Sequence, residues 1–224
     1  MINLKSSSLG GQIDLIIVGA GGHARELAWV ANEATLPWKL VGFLDDRVSL
    51  IGQNLMGVPV LGPIADWPSY PAAAFVIAVG SPRVRRDLVR RMQLLGTPCY
   101  ATVIHRSVVR SPHVYIGVGT TVMAGCVLST QISIGCHAII NQSSTVSHDA
   151  IIEDFCTIAP SVTLSGNVTL REGAEVGTST CVRQGITIGR GALVGMGSVV
   201  TADVADAQVA FGNPARPKRV IDTF

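Results

Sequence analysis

The six-residue period in the second half of the chain is the feature that most constrains its fold. Between residues 116 and 200 an aliphatic residue recurs at every sixth position without a break, which makes fifteen consecutive hexads. The series is Ile116, Val122, Leu128, Ile134, Ile140, Val146, Ile152, Ile158, Leu164, Leu170, Val176, Val182, Ile188, Val194 and Val200. A small or β-branched residue stands two positions before each member. An α-helix repeats every 3.6 residues and a strand every two, so neither element alone sustains this period.

Hexapeptide repeats are typical of a parallel β-helix, in which each hexad supplies one short strand and one corner. The aliphatic residue points into the interior, and the small residue two positions earlier also fits there. Three hexads close one triangular coil, so fifteen hexads predict five coils and, at about 4.8 Å per strand, a prism roughly 24 Å tall. The sequence therefore predicts a left-handed parallel β-helix, capped by residues 209–217, which break the period.

Residues 1–102 show no such period and instead alternate short apolar runs with helical patterns. Strands are predicted over residues 13–18, 40–44, 58–61, 74–79 and 99–104, and helices over residues 25–33 and 83–95. This β-α-β-β-α-β order is typical of a small Rossmann-like parallel sheet. We therefore predict two domains, an α/β domain over residues 1–102 and an all-β domain over residues 103–224.

Composition narrows the class of protein. Hydrophobic residues make up 48% of the chain and charged residues 14%, which excludes the compositional signature of disorder. The net charge of +2 is too small to indicate a nucleic acid or a membrane surface as partner. No apolar run reaches the ~18 residues that a membrane span needs, and the start of the chain lacks the apolar core of a signal peptide. We therefore expect a cytoplasmic protein.

Cysteine and histidine spacings give no indication of a metal. The five cysteines form no CxxC pair and match neither a zinc site nor a disulfide framework, so we expect them to be reduced. The three-histidine zinc site of γ-class carbonic anhydrases, which share the β-helix, needs an H-x4-H spacing that this chain lacks. His105, His113 and His137 are therefore expected to be surface or packing residues, and no metal is expected.

A glycine-rich segment follows the first predicted strand. Residues 19–24, Gly-Ala-Gly-Gly-His-Ala, match the G-x-G-x-x-G/A fingerprint of dinucleotide-binding folds. Asp45 lies 24 residues after Gly21, near the position of an acid that binds a ribose hydroxyl. Glycine N–H groups and a helix N-terminus suit diphosphate oxygens. By itself the segment is compatible with NAD, with a nucleotide-sugar, or with a structural turn that holds no ligand.

Both halves together resemble a known family. The hexapeptide run, the ending Gly-Asn-Pro-Ala-Arg at residues 212–216 and the opening Gly-Ala-Gly-Gly-His at residues 19–23 are similar to the sialic acid O-acetyltransferases and nucleotide-sugar N-acetyltransferases. The resemblance covers nearly the whole chain but does not specify the acceptor. It implies an acetyl-CoA-dependent homotrimer, in which the N-terminal domain holds a nucleotide-sugar and acetyl-CoA lies between neighbouring β-helices.

The same resemblance implies the catalytic residues. The family's catalytic histidine lies in a segment like Val-Ser-His-Asp at residues 146–149, followed by a stretch like Asp-Phe-Cys-Thr-Ile-Ala-Pro at residues 154–160. It makes His148 the general base and Asp149 its acidic partner, where the family often has the longer glutamate. Gly166 corresponds to the acetyl-binding glycine. Thr157 stands where a second histidine often follows, so we expect its contact with the coenzyme to differ.

The chemistry fits these residue types. When a sugar amine attacks a thioester it must lose a proton, and a histidine titrates near neutrality while a carboxylate stabilises its imidazolium. Gly166 follows His148 by 18 residues, which is one coil, so the two are expected to stack about one strand spacing apart. The Gly166 N–H then suits the thioester oxygen. The alternative for His148 is a solvated corner residue.

The resemblance also implies the ligand-binding residues. For the nucleotide-sugar they lie in the glycine segment and at two predicted strand ends: Gly21, Gly22, His23, Asp45, Asp46, Gly80 and Ser81. For the coenzyme they lie in the upper coils and the exit loop: Thr178, Met196, Pro214 and Ala215. A basic group could assist phosphate binding, although a solvated basic face is the simpler interpretation: Arg47, Arg83, Arg85 and Arg86.

Three functions follow from these patterns. The first is N-acetylation of a nucleotide-linked amino sugar of the UDP-4-amino-4,6-dideoxy type. The second is O-acetylation of a sialic acid or a related sugar hydroxyl. The third is a non-catalytic nucleotide-sugar-binding protein that retains the fold. The first agrees best with the resemblance of both halves, which favours cell-surface glycan synthesis.

Overall fold

A parallel sheet organises the N-terminal part of the chain in the computed structural model, which describes residues 12–224. Its strands are β1 (Ile13–Val18), β2 (Trp38–Leu44), β3 (Asn54–Leu55), β4 (Val58–Gly62) and β5 (Ala74–Ile77). They are arranged in the order β3-β4-β2-β1-β5, and only the pair β3 and β4 is antiparallel. The apolar strands β1 and β5 lie side by side, so their carboxyl ends and the turns that follow them are neighbours.

Two α-helices cover opposite faces of this sheet. Helix α1 (Gly22–Asn32) and α2 (Pro82–Leu94) are accompanied by 3₁₀ turns at Val48–Leu50 and Ile64–Ser69. Because side chains alternate along a strand, Leu15 of β1 packs in the cluster that holds α1, whereas Ile16 packs in the cluster that holds α2. Helix α1 begins three residues before the predicted start, so the glycine segment itself forms its first turn.

Three sheets build the predicted prism, and their strands are parallel except for β24 at the end of the third; the left-handed parallel β-helix is confirmed. The first face contains β7 (Val109–Arg110), β10 (Val127–Leu128), β13 (Thr145–Val146), β16 (Thr163–Leu164), β19 (Cys181–Val182) and β22 (Val199–Val200). The second face contains β8 (Val114–Ile116), β11 (Ile132–Ile134), β14 (Ile151–Ile152), β17 (Thr169–Leu170) and β20 (Thr187–Ile188). The third face contains β6 (Val103–Ile104), β9 (Thr121–Val122), β12 (Ile139–Ile140), β15 (Thr157–Ile158), β18 (Glu175–Val176), β21 (Leu193–Val194), β23 (Gln208–Gly212) and β24 (Ala215–Val220).

The interior of the prism has the two columns that the period predicts. Every aliphatic member from Val122 to Val200 is at most 2% exposed. The polar members of the small column are buried as well, and their hydroxyls bond to corner carbonyls. Thr120 donates to Gly135 at 2.8 Å, Ser144 to Ala159 at 3.0 Å and Thr180 to Gly195 at 3.1 Å. Hydroxyl side chains are therefore tolerated in this core because each finds an acceptor.

One predicted element is wrong. The strand expected over residues 99–104 does not form as a unit. Tyr100 makes only an isolated bridge to Phe75, while β6 pairs with β9 in the prism. The prism therefore begins before residue 116. The sequence pattern missed this first coil because Arg110 occupies a register position that elsewhere is aliphatic.

The α/β part packs on the third face and on the edge between the second and third faces. Outward side chains of the third face are buried there, including those of Val103, Thr121 and Ile139. The chain leaves the prism through the antiparallel pair β23–β24, and residues 221–224 then return to α2. No helix in residues 12–224 is long and apolar enough to cross a membrane.

Candidate functional site

His148 and Gly166 occupy the same corner in consecutive coils. Each follows a strand of the first face and precedes a strand of the second, so both lie on the edge between these faces. A Cβ atom added to Gly166 would lie 2.5 Å from both Nε2 and Cε1 of His148. The imidazole ring therefore rests directly on the Gly166 backbone, as the spacing of one coil predicts. Any side chain at residue 166 would occupy the place of the ring.

Asp149 holds the imidazole from its other side. Its Oδ2 lies 2.7 Å from Nδ1 of His148, and both side chains are about half exposed. Asp149 has a φ of 59°, in the left-handed region that asparagine and aspartate adopt more readily than most other residues with a side chain. Its carboxylate reaches the ring although it is shorter than that of a glutamate. Because a carboxylate only accepts, Nδ1 carries the proton, and in the neutral ring Nε2 is left as the acceptor above Gly166.

The backbone beside the ring has a free donor. The Asn167 N–H donates to the His148 carbonyl at 2.9 Å, and the Gly185 N–H donates to the Gly166 carbonyl at 3.0 Å. Within residues 12–224 the Gly166 N–H itself has no hydrogen-bond acceptor. A base nitrogen and an unused backbone donor therefore lie next to each other, which is the pair of groups that acyl transfer requires.

The glycine segment forms an open turn at the start of α1. Gly21 is the N-cap, and Gly22 and His23 lie in the first turn. A Cβ atom at Gly21 would meet nothing within 4 Å, and one at Gly22 would meet only the Arg25 side chain at 4.0 Å. The space above these N–H groups is therefore free for an anionic ligand.

His23 is largely buried beneath this turn. Its Nδ1 lies 3.4 Å from Glu26 Oε2, and its buried Nε2 has no hydrogen-bond partner in the described residues. Burial lowers the pKa of His23, and the nearby charge of Arg85 lowers it further, while Glu26 opposes both effects. The ring is therefore held neutral at the base of the turn, where a ligand could supply the missing partner of Nε2.

The two aspartates after β2 point to different places. Asp45 is buried against the glycine segment, where it accepts from the Ala20 N–H at 2.8 Å and from Arg47 Nε and Nη2, each at 2.8 Å. These bonds, above all those from Arg47, lower the pKa of Asp45 to about 2. Asp46 instead accepts from Arg91 at 2.8 Å and from the Ile64 N–H at 3.0 Å. The structure brings Asp45 to the predicted substrate turn but does not bring Asp46 there.

Gly80 and Ser81 follow β5 and lie beside the glycine segment. A Cβ atom at Gly19 would lie 3.3 Å from the Ala78 carbonyl, so the turns after β1 and β5 touch. Ser81 is the N-cap of α2, and a Cβ atom added to Gly80 would meet nothing within 4 Å. These two residues therefore lie at the same edge of the sheet as the glycine segment, and their contact with a substrate stays a prediction.

Thr157 does not lie in a coenzyme groove. It is buried on the third face, where its hydroxyl donates to the Gly80 carbonyl at 2.8 Å and accepts from Arg85 Nη2 at 2.9 Å. The expectation of a coenzyme contact at this residue is corrected, because the α/β part covers the threonine. Thr157 joins the two halves of the chain instead.

Arg85 was missed by the sequence interpretation, which placed it on a solvated basic face. Its side chain is 1% exposed and lies between α2 and the prism. Helical spacing is the signal that could have found it, because Pro82, Leu88, Val89 and Met92 share its buried side of α2. Arg47 pairs with Asp45, and Arg83 and Arg86 contact residues 222–224, so none of the four belongs to a free basic patch.

The predicted coenzyme residues lie on a different edge from His148. Thr178 and Met196 are exposed and stacked one coil apart, between the third and first faces. Pro214 lies in the turn between β23 and β24, and Ala215 begins β24. The structure thus groups these residues at the upper end of the prism, and the first face separates them from the histidine edge.

Within a single chain, the glycine segment and His148 lie far apart. The glycine segment lies in the α/β part, which covers the third face, whereas His148 lies on the opposite edge of the triangle. No hydrogen bond or ion pair within residues 12–224 connects His148 with the α/β part. The same residues contain no cluster of three or more histidine, cysteine or acidic side chains that could hold a metal ion.

Comparisons with known proteins agree with both halves of the chain. The PglD N-terminal domain family matches residues 14–92. The UDP-N-acetylbacillosamine N-acetyltransferase of Bacillus subtilis (strain 168) is 37% identical over 113 residues, which are 50% of this chain and 51% of that protein. The match therefore spans about half the length of that curated relative.

Several solved structures are similar to the chain over nearly their whole length, among them two with a bound coenzyme. The acetyltransferase domain of PglB from Neisseria gonorrhoeae FA1090, in complex with acetyl coenzyme A, is 34% identical with a TM-score of 0.86, covering 93% of this chain and 100% of that one. A histidine-to-asparagine variant of perosamine N-acetyltransferase from Caulobacter crescentus, in complex with CoA and GDP-perosamine, is 31% identical with a TM-score of 0.84, covering 94% and 98%.

Proposed function

Because the chain belongs to the hexapeptide-repeat family of nucleotide-sugar N-acetyltransferases and related sugar acetyltransferases, we propose that it transfers acetyl from acetyl-CoA to the amino group of a nucleotide-linked 4-amino-4,6-dideoxy sugar. The observation that carries this proposal is the His148 ring, with Nδ1 bonded to Asp149 and Nε2 above Gly166. The names of both the curated relative and the Caulobacter protein specify N-acetylation, which supports an amine over a hydroxyl as acceptor.

The proposed reaction is a direct transfer. The sugar nitrogen attacks the thioester carbonyl carbon, so a C–N bond forms while the C–S bond breaks. His148 Nε2 accepts a proton from the amine, and Asp149 stabilises the resulting imidazolium. The imidazolium then returns the proton to the departing CoA thiolate. The Gly166 N–H is free to donate to the oxygen on which negative charge develops.

The glycine segment is the proposed site of the nucleotide-sugar diphosphate. Gly21 and Gly22 present open N–H groups at the start of α1, and the unpartnered Nε2 of His23 lies beneath them. Gly80 and Ser81 line the same edge of the sheet. The oxygens of Asp45 already accept hydrogen bonds from the Ala20 N–H and from Arg47, so we assign Asp45 the role of holding the turn and the Arg47 side chain in place. The proposal includes both UDP and GDP as the nucleotide, because one relative is named for a UDP-sugar and another was solved with GDP-perosamine.

The proposed coenzyme site is the edge that carries Thr178 and Met196, with Pro214 and Ala215 at its upper end. Exposed backbone there suits a long ligand, and the relative from Neisseria was solved with acetyl coenzyme A. A neighbouring subunit would supply the second wall of this groove.

We also propose that the protein is a homotrimer, because one chain alone does not bring the parts of the site together. In one chain the substrate turn and His148 lie on opposite sides of the prism, so a complete site needs a second copy. The first face is suited to such a contact, because its outward side chains are small and uncharged: Val109, Val127, Thr145, Thr163, Cys181 and Val199. Identical subunits that contact each other head to tail form a ring when the rotation between neighbours closes, as a rotation of one third of a turn does.

Acetyl transfer by purified protein tests the function directly. The protein is incubated with acetyl-CoA and with UDP-linked or GDP-linked 4-amino-4,6-dideoxy sugars, and CoA release is measured with sialic acid as the hydroxyl acceptor in parallel. We expect release with an amino sugar, and a loss of at least about a hundredfold in kcat for His148→Ala, since general base catalysis contributes that much. His113→Ala changes an exposed histidine outside the site and is the control.

Three outcomes would contradict the proposal or a part of it. Release with sialic acid alone would favour the O-acetyltransferase. Tight binding of a nucleotide-sugar without CoA release would favour a non-catalytic binding protein. Activity of His148→Ala close to that of the unaltered protein would refute the assigned base.

A further inference from the structure

Arg85 is the most completely buried cation in the described part of the chain, with 1% of its surface exposed. None of the ion pairs in residues 12–224 includes it. Burial lowers its pKa to about 10, so the guanidinium is still charged at neutral pH. The Glu175 carboxylate acts on this charge electrostatically but forms no ion pair with it, so hydrogen bonds must stabilise the buried guanidinium.

Backbone carbonyls provide that stabilisation from two directions. On the sheet side, Nη1 donates to Val79 at 2.7 Å and to Gly80 at 2.9 Å. On the prism side, Nε donates to His137 at 2.7 Å and Nη2 donates to Phe155 at 2.6 Å. All three nitrogens are thus engaged, and the planar fork spans the gap between the two parts of the chain.

Thr157 reinforces the same junction. Its hydroxyl donates to the Gly80 carbonyl, and its oxygen accepts from Arg85 Nη2. The Gly80 carbonyl therefore accepts from both a helix residue and a prism residue. The turn after β5 in turn touches Gly19, so the position of the glycine segment depends on this junction.

We propose that Arg85, assisted by Thr157, is a positioning residue that holds the nucleotide-sugar turn in a fixed place relative to the β-helix. This inference rests on the proposed function, in which that turn binds the acceptor. His148 is part of the β-helix, so the acceptor amine can reach the base only if the substrate turn has a fixed position relative to the β-helix. A shift of about 1 Å is enough to impair such a reaction severely.

Kinetics of conservative variants provide the test. Thr157→Val removes one hydroxyl at nearly constant volume, and Arg85→Lys keeps the charge but removes the fork. With a UDP-4-amino-4,6-dideoxy sugar, we expect KM for the sugar to rise about tenfold in each variant, which corresponds to one lost hydrogen bond to a charged or buried group. KM for acetyl-CoA is expected to change by less than about twofold. Arg90→Lys, on the exposed side of α2, and Thr35→Val, on an exposed loop, are the controls.

Hydrogen exchange gives a second measurement that does not need activity. Peptides covering residues 15–24 and 76–84 are expected to exchange faster in Thr157→Val and Arg85→Lys, while peptides of the upper coils keep the exchange of the unaltered protein. If the unaltered protein acetylates no amino sugar, the proposed function fails and exchange alone decides the positioning role. Unchanged exchange in these peptides, or equal losses for both substrates, would overturn the proposal.

Discussion

At the scale of single residues, the candidate site depends on the absence of a side chain. The His148 ring occupies the space that a Cβ atom at residue 166 would need. Most corners of the prism accept polar or bulky residues in this register, so the glycine is required by the ring and not by the backbone, whose φ at residue 166 is not in the left-handed region. Gly166 is therefore the position where the smallest substitution should have the largest catalytic effect.

Gly166→Ala is expected to displace the imidazole and to lower kcat by about a hundredfold, because both the base and the oxyanion donor are moved. The same clash should lower the melting temperature. In the His148→Ala background, however, the added methyl group meets empty space, so Gly166→Ala should then cost almost no stability. Thermal melts of the single and double variants measure this coupling, and equal destabilisation in both backgrounds would refute the packing assigned to the ring.

Asp45 gives a prediction about pH. Its pKa is about 2 in the folded chain and near 3.8 when unperturbed, so the folded state binds fewer protons. Its contribution is therefore fully present above pH ~5 and is lost as the pH falls toward 2, with a size of about 2 kcal/mol. Asp45→Asn should accordingly lower the free energy of unfolding by about that amount at pH 7 and by about half as much at pH 3.

Urea unfolding at the two pH values measures this difference. Asp14→Asn removes an exposed carboxylate that lies 3.7 Å from Lys39 and should have little effect at either pH. A destabilisation of Asp45→Asn that is the same at pH 7 and pH 3 would contradict the assigned role of its charge.

At the scale of elements, the edge between the second and third faces carries an aromatic column that fastens α2 to the prism. His137 and Phe155 stack with ring centroids 5.3 Å apart. Gly173 follows in the next coil, and the Phe224 ring lies over it, in the place a side chain there would take. Arg86 of α2 lies 4.0 Å above the same ring. Residues 222–224 therefore complete the column from another part of the chain.

Phe224→Ala is expected to remove this contact and to reduce stability by about 2 kcal/mol, since the ring is partly buried and also meets a guanidinium. Hydrogen exchange of α2 should accelerate more than that of the upper coils. Val220→Ala, at an exposed position that is 73% accessible, is the matched control. If both variants melt at the temperature of the unaltered protein, the column does not fasten α2.

At the scale of the whole molecule, the separation between the substrate turn and the base makes assembly part of the proposed mechanism. The third face is covered by the chain's own α/β part, while the first face and the histidine edge are open. We therefore expect the protein to sediment as a trimer. Sedimentation as a monomer at micromolar concentration would contradict this expectation.

Mixed trimers test whether the site is shared between subunits. His148→Ala lacks the base, and Gly22→Asp places a negative charge where the diphosphate is proposed to bind, so each should be inactive alone. If the two groups come from neighbouring subunits, trimers purified with one tag on each variant should recover part of the activity. Mixed trimers that remain as inactive as the parents would show that each site is built within one chain.

The period of six determined the β-helix by itself, because an inward aliphatic column repeated over fifteen hexads can be buried in no other way. It also determined that His148 and Gly166 share a corner, since a coil has a constant length. Local patterns likewise predicted α1, α2 and four strands of the N-terminal sheet. These are properties of neighbouring or regularly spaced residues, so they can be read along the chain.

Only the tertiary structure decided which face the α/β part covers, and that choice set the roles of Arg85 and Thr157. Helical spacing places Arg85 on the buried side of α2, but it does not identify the partners of the guanidinium, because these are carbonyls that are distant in sequence, at residues 137 and 155. Burial of Thr157 depends on the same packing. Contacts between separately folded parts follow from the three-dimensional shape of both surfaces, and a one-dimensional pattern does not contain that shape.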